Sequence, residues 1–133
     1  MPLPAYVLDS CSLIHLERSS DLRRLPPAET RMFVPDRVVR EVNKPKTRLA
    51  TWLRVNRRVV TRLLPEEGRL YLRFVRDGLD DGESAALAMA LHREATLVTD
   101  DRAARAMASG MQVRSIETRV YLVEVLPEQG KLI

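Results

Sequence analysis

The stretch that most constrains this chain is Leu79 to Ala108, LDDGESAALAMALHREATLVTDDRAARAMA. From Ala85 to Leu91 no polar residue interrupts it. A helix without a polar face has to be covered on every side, so this segment predicts a core helix. A polar break at His92, Arg93 and Glu94 separates it from Thr96–Thr99, which is short and β-type. Asp100 and Asp101 follow at once, and then an alanine-rich segment with basic residues. The order predicts a helix, a buried strand and a second helix.

Acids stand at the start of both helices. Asp80 and Glu83 have capping-box spacing before the first, and Thr99 or Asp100 suits the N-cap of the second. Carboxylates in a first turn also complement the helix dipole. Taken singly, these residues read as caps. The second pair, however, lies at the carboxyl end of a strand, the edge where open α/β sheets bind ligands. Acids elsewhere in the chain decide whether that edge is a site.

The N-terminal segment AYVLDSCSLIHLER repeats the pattern. Ala5–Leu8 predicts a buried strand ended by Asp9, and Ser10 suits the cap of a helix carrying Leu13, Ile14 and Leu16. A turn-bonded Asp9 is the local alternative. Further on, Arg31–Val34 is an extended segment leading to Pro35-Asp36, a helix start. In that helix Val38, Val39 and Val42 form the apolar face. At about 100° per residue Glu41 falls on its border, whereas Arg37 and Arg40 point away.

Between Asn43 and Pro65 there is no acidic residue, while Lys44, Lys46, Arg48, Arg54, Arg57, Arg58 and Arg62 all fall there. Leu49, Trp52, Leu53 and Asn56 follow helical spacing, and Arg57–Leu63 alternates partly like a strand. Trp52 reads as core or interface. The uncompensated block, a formal charge of +4 and a sequence pI near 9.7 favour an acidic partner such as nucleic acid, with Arg54, Arg57 and Arg58 as backbone contacts.

Pro65-Glu66-Glu67 is a further helix start, with Leu70, Phe74 and Val75 as its buried stripe and Asp77-Gly78 as its end. Met111–Val113 predicts a last strand, and Ser115 the cap of a helix with Val120, Leu122, Val123 and Leu126. With 133 residues, 45% hydrophobic and 30% charged, a single domain over 1–133 is expected. Cys11 is the sole cysteine, which excludes an internal disulfide and a multi-cysteine zinc site. The longest apolar run is too short for a membrane span. Asp9, His15 and Glu17 interrupt the N-terminal apolar residues, against a signal peptide, so a cytoplasmic location is expected.

Strands alternating with helices predict an α/β domain with a parallel sheet. Asp9 and Asp101 then end strands, Glu83 opens a helix and Glu41 borders another helix's apolar face. Four clustered carboxylates repel one another and call for cations. Oxygen-only ligands suit Mg²⁺ or Mn²⁺ rather than zinc, and such ions beside a basic groove suit phosphodiester hydrolysis.

The sequence resembles the PIN-domain family, nucleases that include the VapC toxins of toxin–antitoxin pairs, over nearly its whole length. VLDSCSLIHL resembles the family's opening strand with its first acid, Asp9, and a hydroxyl residue, Ser10. VPDRVVREV resembles the second motif, ending in Glu41. LDDGESAALAMAL resembles the third in a form where Gly-Glu replaces the more usual aspartate, which places Glu83 there and leaves Asp81 as the alternate. LVTDDRAARAMA resembles the fourth, with Thr99 and Asp101 at Thr-x-Asp spacing and Asp100 as the alternate.

The resemblance implies a three-layer α/β/α sandwich with a mainly parallel sheet of four or five strands. It implies a Mg²⁺- or Mn²⁺-dependent ribonuclease with Asp9, Glu41, Glu83 and Asp101 around the metal. Ser10 and Thr99 would fix those carboxylates or position water. A homodimer is implied, with Trp52 and Leu132-Ile133 as interface material, and an antitoxin of the VapB kind for a toxin. A receiver-type phosphorylation switch would want a second acid after Asp9, where Ser10 stands. A non-catalytic RNA- or partner-binding module on the same scaffold is the other reading.

Overall fold

The computed structural model describes residues 4–25, 31–42, 44 and 47–126. Pro26-Pro27, Asn43, Lys46 and the Leu132-Ile133 tail lie outside the described residues. Five strands form one sheet: β1 (Ala5–Leu8), β2 (Arg31–Pro35), β3 (Val60–Thr61), β4 (Thr96–Val98) and β5 (Ser115–Ile116). Their order is β3-β2-β1-β4-β5 and every pairing is parallel. In the central strand, Val7 faces Phe33 on one side and Leu97 on the other. The expected parallel α/β sheet is therefore present with five strands.

Among the described residues seven α-helices are interleaved with the strands: α1 (Ser10–Arg18), α2 (Asp36–Val42), α3 (Arg48–Val55), α4 (Pro65–Arg76), α5 (Asp81–Arg93), α6 (Arg102–Gly110) and α7 (Thr118–Val125). The twofold alternation of side chains splits the core in two. Tyr6 and Leu8 point to a cluster built from α1, α2, α3 and α7, including Leu13, Val38, Leu49 and Tyr121. Ala5 and Val7 point to the other, built from α4, α5 and α6, including Phe74, Leu87, Met89 and Ala108. These faces make the three layers.

In α5 every residue from Ser84 to Ala90 is buried, because the helix lies against the sheet and is flanked by α4 and α2. Its alanines let those neighbours approach closely. Truncating Leu87 or Met89 would cost about 2–5 kcal/mol. The predicted core helix is found where the sequence put it.

Several local expectations are corrected. Asp9, not Ser10, caps α1, and Ser10 is its first helical residue. Asp101, not Thr99 or Asp100, caps α6. In both cases the aspartate is the residue with extended backbone whose carboxylate reaches the open amide three residues on. Met111–Val113 is not a strand, since the Val113 amide donates to the Ala108 carbonyl and closes α6. The last strand is Ser115–Ile116, and Ser115 caps nothing. Arg57–Val59 forms a 3-10 turn, which leaves only Val60–Thr61 as strand. In α4 Phe74 is buried, but Val75 is largely exposed.

Candidate active site

At the carboxyl edge of the sheet the chain leaves the neighbouring strands β1 and β4 through acids. Asp9 follows Leu8, and its amide donates to the Val98 carbonyl at 3.3 Å, which joins the two strand ends. Its carboxylate is 1% exposed as a residue and accepts from the Ser12 amide at 3.1 Å and from Cys11 Sγ at 3.0 Å. Burial raises its pKa, against hydrogen bonds from Thr99, Cys11 and Ser12. Burial, and then the charge of Asp9, push the Cys11 thiol up to about 11. At neutral pH it is a hydrogen-bond donor rather than a thiolate nucleophile.

Asp101 accepts from the Ala104 amide at 2.9 Å. That bond, with a hydrogen bond from Glu83, keeps its carboxyl below the ordinary value. Thr99 lies between the strand-end acids: its hydroxyl bonds Asp9, and its Oγ1 accepts from the Asp101 amide at 3.1 Å. Glu83 enters from the first turn of α5, capped by Asp80. Burial, its bond to Asp101 and the charges of Asp80, Asp101 and Asp9 push Glu83 up to about 8. Glu83 and Asp101 thus hold one proton between them.

Glu41 comes from the last turn of α2. Although the residue is solvent-exposed overall, its carboxylate lies against the start of α5, taking hydrogen bonds from the Ser10 hydroxyl and the Gly82 amide. Burial raises its pKa, and Asp80 and Asp81 add to the rise. A Cβ on Gly82 would fall 2.3 Å from Glu41 Oε1. Only glycine admits the carboxylate here, a requirement that the sequence alone did not reveal. A Gly immediately before the candidate Glu83 was the available signal.

The two alternates face elsewhere. Asp81 accepts from the Tyr71 hydroxyl and lies 3.6 Å from Arg37. Asp100 accepts from the Thr118 amide at 2.9 Å and the Thr118 hydroxyl at 2.8 Å, and meets His15 Nδ1 at 2.8 Å. Burial raises its pKa, but these bonds outweigh it and the net shift is downward. Arg37 does not point into open water as expected: its guanidinium packs 4.3 Å above the Tyr71 ring. Arg105 donates to the Thr99 carbonyl at 3.2 Å and is a second basic neighbour that sequence spacing missed. Arg54, Arg57 and Arg58 are exposed, in and just after α3, ahead of the edge strand β3.

Asp9, Glu41 and Glu83 form no ion pair among the described residues. No three of the His, Cys, Asp and Glu side chains described already stand at metal-holding spacing. The nearby acids fall into two adjoining sets, Asp9–Glu83–Asp101 and Glu41–Asp80–Asp81. Their chemistry fits a hard divalent cation: oxygen donors only, crowded enough to retain a proton, and no internal positive partner for three of them. Closing them on an ion needs side-chain rotation.

The family model DUF3368, described as a PIN domain, matches residues 5–132. The chain belongs to the PIN-domain family. PIN domains are generally nucleases. No curated protein matches the sequence. Among solved structures, this PIN domain is similar to PAE2754 from Pyrobaculum aerophilum, with a TM-score of 0.59, 18% identity, and coverage of 95% of this chain and 99% of that one. It is also similar to VapBC-1 from nontypeable Haemophilus influenzae, with a TM-score of 0.59, 15% identity, and coverage of 86% and 98%. At these identities the likeness is one of fold. No described helix is long and apolar enough to cross a membrane.

Proposed function

We propose that this PIN domain is a ribonuclease that hydrolyses phosphodiester bonds with Mg²⁺ or Mn²⁺. The observation that carries this reading is the convergence of Asp9, Glu83 and Asp101 on one sheet edge, where burial and mutual charge hold Glu83 at about 8. Glu41 approaches the same helix start across Gly82. Asp9, Glu41, Glu83 and Asp101 are the proposed ligands. When bound, the ion supplies positive charge for the scissile phosphate and lowers the pKa of an attacking water.

The chain's own residues do the rest. Capping bonds hold one oxygen each of Asp9 and Asp101, so the rotation that would close the acids on an ion falls mainly to Glu41 and Glu83. Thr99 ties those two acids together, and Ser10 orients Glu41. Glu83, held protonated by burial and its acidic neighbours, would bind a cation only as the carboxylate, so binding would be coupled to loss of that proton. Cys11 and His15 are not required as nucleophiles.

The partners belong to the same proposal. RNA is the expected substrate because the exposed Arg54, Arg57 and Arg58 suit a phosphate backbone. The similarity in fold to VapBC-1 supports a toxin role with a small antitoxin; a homodimer with half-buried Trp52 near its interface is part of the same proposal. A non-catalytic RNA- or partner-binding module on this fold is the competing reading. The family match removes the receiver-type switch.

One experiment separates the two remaining readings. Asp9→Asn keeps the size and the capping oxygen but removes a charge. RNA cleavage should fall more than about a hundredfold, beyond what changes outside the ligand shell usually cost, while RNA binding persists. EDTA should silence the wild type, and added Mg²⁺ or Mn²⁺ should restore it. Full cleavage by purified Asp9→Asn, or none by the wild type with either ion, contradicts the proposal.

A further inference from the structure

Beside the carboxylates, the same sheet edge carries a second feature that the catalytic reading does not use. A cleft of about 540 Å³ opens between the start of α2, the end of β3 and the first turns of α4. That is within the usual size of ligand pockets, about 300–1,000 Å³. Arg37, Arg62 and Arg69 line it, with Asp36 as its one acid and Tyr71 in its wall. Only Arg62 belongs to the basic block between Asn43 and Pro65; Arg37 and Arg69 lie outside it, so no charge run announces the three together.

Their states differ in a useful way. Arg37 is pinned: its guanidinium lies on the Tyr71 ring, donates to the Tyr71 hydroxyl at 3.2 Å and stands 3.6 Å from Asp81. Arg62 and Arg69 are exposed and form no ion pair among the described residues. One ordered and two unpaired guanidinium groups around one cleft make a site for an anion with several oxygens, because each planar fork matches phosphate geometry.

The cleft is tied to the carboxylates by covalent and hydrogen-bonded links. Asp81, which Arg37 and Tyr71 hold, stands two residues before Glu83. In the strand order the cleft lies at β3 and β2, and the carboxylates at β1 and β4. With strands about 4.8 Å apart, the two centres are separated by roughly 10 Å. That places a neighbouring phosphate of a strand in the cleft when its scissile phosphate lies at the acids. Arg62 directly follows β3 and so shares this edge, whereas Arg57 and Arg58 precede that strand.

We propose that the Arg37–Arg62–Arg69 cleft binds the backbone of single-stranded RNA next to the cleavage position, and so sets the direction in which the strand crosses the site. This inference rests on the ribonuclease reading for its substrate, but its test does not depend on cleavage.

Binding of a fluorescent single-stranded RNA oligonucleotide is measured in EDTA, from 50 to 200 mM salt, for the wild type, Arg62→Ala/Arg69→Ala and Arg54→Ala/Arg57→Ala/Arg58→Ala. Each phosphate contact in a single strand contributes about 0.7 to the slope of log affinity against log salt. Losing Arg62 and Arg69 should lower the slope by about 1.4, so the loss of affinity across that range becomes about sevenfold smaller. Both side chains are exposed, and only the Arg62 carbonyl bonds elsewhere, to Arg93, so the variant should fold. An unchanged slope overturns the proposal, as does a slope change confined to the Arg54, Arg57 and Arg58 variant. Selective loss of binding to an acidic peptide, with the RNA slope intact, overturns it in favour of a protein partner. If the wild type cleaves RNA while the slope is unchanged, the cleft fails and the ribonuclease reading stands. If cleavage is absent and the slope falls, the reverse holds.

Discussion

The two ends of α5 each hold a buried or half-buried glutamate site, and they are built in opposite ways. At the carboxyl-terminal end, Glu67 of α4 has no exposed surface. It meets Arg93 at 2.7 and 3.0 Å, His92 at 2.9 Å and the Leu64 amide at 2.8 Å. Burial pushes its pKa up, but these donors outweigh it and the net shift is downward. At the amino-terminal end Glu83 meets carboxylates instead, and its pKa goes up to about 8. The first arrangement satisfies a buried charge internally and fastens α4 to α5. The second leaves charge unsatisfied beside solvent, which is the condition for binding something positive.

The same substitution at both ends should break this symmetry most sharply. Glu83→Gln replaces a carboxyl whose charge the fold opposes: cleavage should drop more than about a hundredfold, while stability at neutral pH should hold or rise, since the folded pKa lies above the unfolded one. Glu67→Gln strands Arg93, which is mostly covered, so it should destabilise by about 3 kcal/mol, the low end for breaking a buried pair because His92 can turn to water. Its cleavage rate per folded molecule should stay near wild type. Chemical denaturation and initial rates on both variants read the two effects.

How much of this was legible in the sequence follows from where the information sits. The α5 helix was legible because Ala85–Leu91 has no polar face, and the strand ends were legible because Asp9 and Asp101 follow short apolar runs. Caps were misplaced by a residue or two because they depend on which carboxylate reaches an open amide, a matter of turn geometry. The approach of Glu41 to Gly82 and the Arg37–Arg62–Arg69 cleft join residues far apart in the chain, and no local pattern encodes them. Glu67 stands in the sequence only as part of a helix start, and its pairing with His92 and Arg93, about 25 residues on, is likewise a tertiary fact.

Gly82→Ala should sharpen the contrast without touching a charge. Alanine favours a helix by up to about 1 kcal/mol, and the group it meets is the movable end of Glu41. Stability should hold or rise in thermal melts. Cleavage should fall about tenfold, since a misplacement of about 1 Å is costly in a positioned site. Retained cleavage would mean that the position of Glu41 is unimportant.

A smaller effect should appear on acidification. The folded pKa of Glu67 lies below its unfolded value, so its contribution is fully present above the unfolded value and is lost as pH falls through the folded one. Denaturation midpoints should therefore decline below about pH 4.5 more steeply in the wild type than in Glu67→Gln. Parallel curves would show that the ion cluster contributes nothing.

The most direct test of the central claim is calorimetric titration of Mn²⁺ into the wild type, Glu83→Gln and Glu67→Gln at neutral pH. The account predicts saturable binding by the wild type and Glu67→Gln, with proton release, and affinity at least about tenfold weaker in Glu83→Gln. Equal binding by all three, or no binding by the wild type at millimolar Mn²⁺, would contradict it.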